Sequence, residues 1–104
     1  MNHIVIFITA PSTDEAETIG RTLVEEKLAA CANIVPGVNS IYRWKGKIES
    51  SKEALMIVKS RSSLLDRIIA RVKELHSYSV PEIIAMPIAG GSSDYLNWIE
   101  ESTI

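Results

Sequence analysis

Residues 29–61 read AACANIVPGVNSIYRWKGKIESSKEALMIVKSR, and this stretch decides the fold. It resolves into two long β-rich arms folded at Lys45-Gly46, with Pro36-Gly37 as a break partway up the first. Ile34, Val35, Val38, Ile41, Tyr42 and Trp44 load the rising arm; Leu55, Met56, Ile57 and Val58 load the returning one. Runs of β-branched and aromatic residues closed by a short glycine-containing turn are the sequence signal of a β-hairpin. An arm of roughly 13 residues at about 3.3 Å each would reach some 40 Å. A compact chain of this length has a radius of gyration of only about 13 Å. The hairpin is therefore expected to be as long as the body that carries it, and its projecting part needs a cover.

The body is legible on either side. Residues 4–9 (IVIFIT) are apolar on both alternating faces, the pattern of a short central strand covered on both sides. Pro11 ends it, and Ser12 with Glu15 forms a capping-box pattern in which Asp14 and Glu15 complement the helix dipole. The helix that follows is expected to bury Ala16, Ile19, Leu23, Val24 and Leu28 and to end near Ala30. Gly20 lies on the same stripe, which places it where backbones pack closely. After the hairpin, Ser62 or Ser63 is expected to cap a second helix with the stripe Leu65, Ile68, Ile69, Val72 and Leu75. Residues 76–81 (HSYSVP) form a loop, because the residue before proline avoids helix. Residues 82–88 (EIIAMPI) form a strand in which Pro87, lacking a ladder donor, argues for an edge. Gly90-Gly91 breaks the chain, and a short last helix carries Tyr95, Leu96, Trp98 and Ile99.

The order β-α-β-β-α-β plus a terminal helix is the split βαβ, ferredoxin-like plan, an α+β fold with both helices on one face of an antiparallel sheet. We read residues 1–104 as one such domain. The body strands are about six residues long, so the outer half of the hairpin has no neighbour within the chain. A long, apolar, unpaired edge is a hazard in a monomer and a docking surface in an oligomer. A homo-oligomer built through the hairpin is the expectation.

Composition narrows the function classes. The chain is 46% hydrophobic and 23% charged, with a formal net charge of −2, an ordinary globular composition with no electrostatic footprint for nucleic acid or acidic membrane. Its longest apolar runs are too short to span a bilayer and no signal-peptide pattern opens it, which favours the cytoplasm. The single cysteine, Cys31, rules out an internal disulfide framework.

The segments LAACANIVPGVNSIYRWKGKIE, MIVKSR, LHSYSVPEIIAMPI and YLNWI, with the opening FITAP, resemble the CutA family of divalent-cation-tolerance proteins in order and spacing across nearly the whole chain. The resemblance implies a ferredoxin-like protomer assembled as a homotrimer of PII-like architecture, in which long hairpins extend across neighbouring subunits. It also implies a non-enzymatic role in divalent-cation tolerance, with copper(II) the first metal to consider and no cofactor required. A PII-like small-ligand sensor or interaction scaffold is the alternative.

Cys31 is the only soft donor; a thiolate with an imidazole and a carboxylate suits copper. An Ala-Ala-Cys-Ala context entering a strand equally suits a small buried hydrophobe. His76 follows an amphipathic helix and precedes Tyr78 and Glu82, and these match the polar positions that recur in the family motifs. His76, Glu82 and Cys31 are thus the metal candidates, and Asn33, Lys59 and Tyr78 the candidates for a small, anionic ligand in a cleft. A hydrogen-bonded subunit contact is the other reading of the His76 region. The resemblance also points to positions occupied here by Ile8 and Leu75, which cannot coordinate a metal. Its usual loop, His-Pro-Tyr-Glu-Val-Pro-Glu, here has Ser77 and Ser79 in place of the proline and the acid. Tyr42, Trp44, Tyr95 and Trp98 suit an interface core. Neither an RNP-like aromatic-basic pattern nor a nucleophile elbow is present, so nucleic-acid binding and catalysis are not expected.

Overall fold

The computed structural model describes residues 2–104. The elements are β1 (His3–Ala10), α1 (Thr13–Glu25), β2 (Cys31–Trp44), β3 (Lys47–Arg61), a 3₁₀ turn (Ser62–Leu64), α2 (Leu65–Leu75), β4 (Ile83–Pro87) and α3 (Ser93–Glu101). One sheet runs in the order β2-β3-β1-β4 with every neighbouring pair antiparallel. This is the α+β, ferredoxin-like plan expected from the sequence, with β2 and β4 at the edges. Pro87 sits on edge strand β4 opposite Ile4, where no ladder partner is lost on the outer side.

Alternation along the central strands builds the core. Ile6 and Ile8 of β1 and Met56 and Val58 of β3 point to the helix face and are fully buried against Ile19 and Leu23 of α1 and Ile68 and Val72 of α2. Burying each such side chain contributes roughly 1.5–3 kcal/mol. The other face is different. Val5 and Phe7 are only half-buried, so within one protomer β1 is covered on one side rather than two.

The hairpin has the anticipated proportions. Lys45 and Gly46 both take positive φ (51° and 79°) between the paired Trp44 and Lys47, the two-residue turn whose twist matches its strands. Pro36 and Gly37 interrupt the ladder between Val35↔Leu55 and Val38↔Glu53, one residue more on β2 than on β3, and Gly37 has φ 72°. β1 pairs with β3 only as far as Ala10↔Ala54. Beyond that row, residues 38–44 and 47–53 form a two-stranded ribbon, and it stretches the molecule to 44 × 25 × 22 Å.

Three local expectations are corrected. Helix α1 stops at Glu25, not near Ala30. Lys27 turns left-handed (φ 61°), its N–H bonds Val24 O, and the N–H of Leu28 bonds Leu23 O. That is a Schellman ending with lysine where glycine is usual. It buries Leu28 by reversing the chain and leaves Val24 exposed. Ser62 and Ser63 form the 3₁₀ turn instead of a side-chain cap, and α2 starts uncapped at Leu65. Only half of the capping box exists: Ser12 Oγ accepts from Glu15 N–H (3.1 Å), but the Glu15 carboxylate reaches Ser77 instead. Helix α3 lies over one end of the open sheet face, held by His3–Glu100 (3.1 Å) and Arg61–Thr103 (2.8 Å).

Candidate binding cleft

Helix α2 delivers the chain to His76, whose extended backbone ends the helix while its N–H still bonds Val72 O. The imidazole is enclosed. Its Nε2 donates to the carbonyl of Thr9 (2.7 Å), at the end of β1, and its Nδ1 accepts from the Tyr78 N–H (3.0 Å). This pair of bonds requires the neutral Nε2–H form. The Glu15 carboxylate accepts from both the N–H and the hydroxyl of Ser77 (2.9 Å each), tying the loop to α1. Those two bonds give the 76–81 loop an anchor that proline at position 77 would weaken by removing a donor.

Tyr78 stacks at a tilt on His76, ring centroids 4.8 Å apart, and its hydroxyl donates to Glu53 Oε2 (2.7 Å). Burial first, and then the hydrogen bond to Glu53, push the phenol well above its usual pKa. The folded protein thus keeps the Tyr78 proton at a pH where the unfolded chain has lost it. Stability attached to this group is complete below about pH 10 and declines as pH rises beyond it. In a denaturant series between pH 9 and 11.5, we expect the midpoint to fall, and to fall less in Tyr78→Phe. Equal slopes would remove Tyr78 from the alkaline transition.

Above this loop, the open sheet face and the rising hairpin enclose a cleft of about 770 Å³. Glu53, Tyr78, Tyr42 and Trp44 line it with Ser40, Ser77, Ser79 and Glu82. Of the positions singled out in the sequence, the structure brings Tyr78 and Glu82 to this cleft and buries His76 beneath it. Cys31, Asn33 and Lys59 are elsewhere. Cys31 pairs with Lys59 opposite Val5, four residues along β1 from Thr9, a separation of about 13 Å. There Cys31 Sγ meets the Tyr95 hydroxyl (3.7 Å) and Lys59 Nζ bonds Asn33 Oδ1. The expected groupings of Cys31 with His76 and Glu82, and of Asn33 and Lys59 with Tyr78, therefore do not form within a protomer. Among the described residues, no three His, Cys, Asp or Glu side chains are grouped to hold a metal ion.

Glu53 is the residue that sequence reading passed over. It lies in SKEALM, where a charged residue reads as the solvated face of a strand. In the fold it is only 8% exposed, and buried glutamates are uncommon without a partner. The available signal was register: Glu53 shares the open sheet face with Leu55 and Ile57, opposite Thr9 and Phe7, where the 76–81 loop covers it.

A four-stranded ferredoxin-like sheet with an overlong hairpin and a polar cleft at its root makes this an α+β protomer with one elongated edge. The CutA1 divalent ion tolerance protein family matches residues 4–102, and the chain belongs to that family. The divalent-cation tolerance protein CutA of Thermus thermophilus is 52% identical over 99 residues, 95% of this chain and 96% of that one. Its solved structure superposes with a TM-score of 0.96 over 98% of this chain and 99% of that chain, at 50% identity. The chloroplastic protein CutA of Arabidopsis thaliana is 48% identical over 96% of this chain, which spans only 55% of that relative's length. The family and the Thermus thermophilus relative are named for divalent-cation tolerance, not for an enzymatic activity.

Proposed function

We propose that the chain, as a single-domain protomer over residues 1–104, forms a non-enzymatic homotrimer through the 29–61 hairpin and serves divalent-cation tolerance by binding the ion, copper(II) first. The observation that carries this reading is the two-stranded outer hairpin, whose Ile41 and Ile48 are 77% and 69% exposed in the protomer. A second subunit supplies the missing neighbour, and the half-covered Val5 and Phe7 face supplies further apolar area to bury. Metal binding is assigned to subunit contacts. The donors Cys31, His76 and Glu82 do not fit one ion within a protomer, and His76 has both nitrogens engaged. Apposition of subunits is the means of uniting donors from the two ends of the sheet. We further propose a cytoplasmic location, although the Arabidopsis relative is named chloroplastic.

Titration calorimetry of the tag-free protein with Cu(II) and Zn(II) tests the metal assignment. We expect saturable Cu(II) binding tighter than about millimolar, weakened at least tenfold in Cys31→Ala/His76→Ala. Binding unaffected by the double substitution would remove these donors from the site.

A PII-like sensor of a small ligand is the second reading, and the cleft favours it. Its volume falls within the roughly 300–1,000 Å³ of small-molecule sites.

A further inference from the structure

We propose that the cleft at the root of the hairpin is completed by a neighbouring subunit, and that Lys59 of the partner subunit is the cation that meets Glu53. This rests on the homotrimer reading and is independent of the metal assignment. The charge along the open sheet face carries it. Glu53 and Glu82 line the cleft, and none of the chain's 11 lysines and arginines does. On the same face of β3, Lys59 stands six residues from Glu53, about 20 Å away. Between them lies the half-covered apolar surface that includes Val5 and Phe7, opposite Lys59 and Ile57. The face is therefore acidic at one end, basic at the other and apolar in the middle.

Both charges are left unmet within the chain. Glu53 is more than nine-tenths buried, and Tyr78 donates to its Oε2. Among the described residues its Oε1 has no hydrogen-bond partner. Lys59 is half-buried, and its bond is to the neutral amide oxygen of Asn33. No carboxylate among the described residues pairs with it. A subunit that covers the apolar middle of the face removes the water that now serves both ends. Burying a carboxylate without a cation is costly, so the covering surface has to bring a positive charge to Glu53.

Lys59 is the cation placed to do so. Its neighbours His3 and Arg61 are taken by Glu100 and Thr103 under α3. Arg43, Lys45 and Lys47 at the hairpin tip are exposed, and water satisfies them without a partner. In a closed ring the contacts run head to tail, so each subunit turns one end of its sheet to the opposite end of the next. The molecule is 22–25 Å across its two short axes, close to the separation of Glu53 from Lys59. A step of one subunit width thus carries the basic end of one sheet to the acidic end of its neighbour, with the apolar middle buried by the same contact.

A double-mutant cycle on association tests the pairing. The association constant is measured by light scattering over a dilution series in EDTA for the wild type, Glu53→Gln, Lys59→Met and the double variant, with far-UV circular dichroism as the fold control. We expect each single substitution to weaken association at least about tenfold. The double variant should be no weaker than either single one, because removing both charges leaves neither unmet. Lys59→Glu keeps the core and the Tyr78–Glu53 bond, and should weaken association more than Lys59→Met; this comparison holds even if Glu53→Gln fails to fold. Losses that multiply in the double variant, or a Lys59→Glu protein that associates as well as Lys59→Met, would overturn the pairing and leave the homotrimer standing. A wild-type monomer would overturn both.

Discussion

Ile41→Asp/Ile48→Asp is expected to convert the assembled protein into a folded monomer of 11.5 kDa. The two side chains are diagonal neighbours on one face of the outer hairpin, since Ile41 faces Ser50 and Ile48 faces Arg43. Each is more than two-thirds exposed in the protomer. Burying an isoleucine contributes roughly 1.5–3 kcal/mol, so the pair stands for about 3–6 kcal/mol per subunit. Placing two carboxylates there removes that gain and sets like charges together. The association constant should fall by at least about two orders of magnitude. The body should survive, because the core beneath α1 and α2 is built from rows of the sheet that end at Ala10↔Ala54. Light scattering at micromolar concentration reads the mass, and far-UV circular dichroism reads the fold. A double variant that keeps the wild-type oligomeric mass would show that assembly does not use this part of the hairpin, and a wild-type monomer would remove the homotrimer itself.

The features that made the fold legible were those with a local cause. Short continuous apolar runs in residues 4–9 and 55–58, helical stripes at 65–75 and the Lys45-Gly46 turn each state their structure within a few residues. Pro87 located an edge because a missing N–H has only one tolerable place in a sheet. The errors came where tertiary contacts settle a local choice. Lys27 takes the left-handed conformation that sequence reading reserves for glycine, because the reversal buries Leu28 and lets the Lys27 carbonyl accept from Ile104 N–H. Glu15 leaves its capping box for Ser77, a residue 62 positions away.

The site was less legible for the same reason. His76, Tyr78 and Glu82 were found through a loop motif, and the structure does cluster two of them at the cleft and the third beneath it. Cys31, Asn33 and Lys59 were grouped with them because the hairpin base looked like one place. A sheet four residues deep separates its two ends, and Cys31 and His76 stand at opposite ends. Glu53 was invisible because charge on a strand ordinarily marks solvent, and only the fold shows the Tyr78 hydroxyl arriving from a loop 25 residues away.

Gly20→Val should destabilise the protein by at least about 3 kcal/mol, and Gly20→Ala by about 1 kcal/mol, opposite in sign to what helix propensity dictates. Gly20 is buried in α1 where the helix crosses the base of β2. A β-carbon there would stand 3.0 Å from the Ala32 β-carbon and 3.4 Å from the Met56 ε-methyl. The methionine can swing aside. Ala32 cannot, because its β-carbon is one bond from the strand backbone, and carbon atoms prefer about 3.5–4.0 Å. The helix must therefore lift off the sheet. An alanine in a helix interior gains roughly 1 kcal/mol over glycine, whereas inserting a methyl into a full site costs about 1–3 kcal/mol. Valine adds two further methyl groups to the same gap and a β-branch that helices disfavour. In thermal melts of a chain this size, each kcal/mol corresponds to about 4–8 °C. The pairing partner supplies the decisive control. Ala32→Gly alone should lose a little strand stability, yet in the Gly20→Ala background it should restore most of the loss, a coupling expected only for atoms in contact. A Gly20→Ala melt above that of the wild type, or additive losses in the double variant, would show that the helix–strand crossing has room to spare.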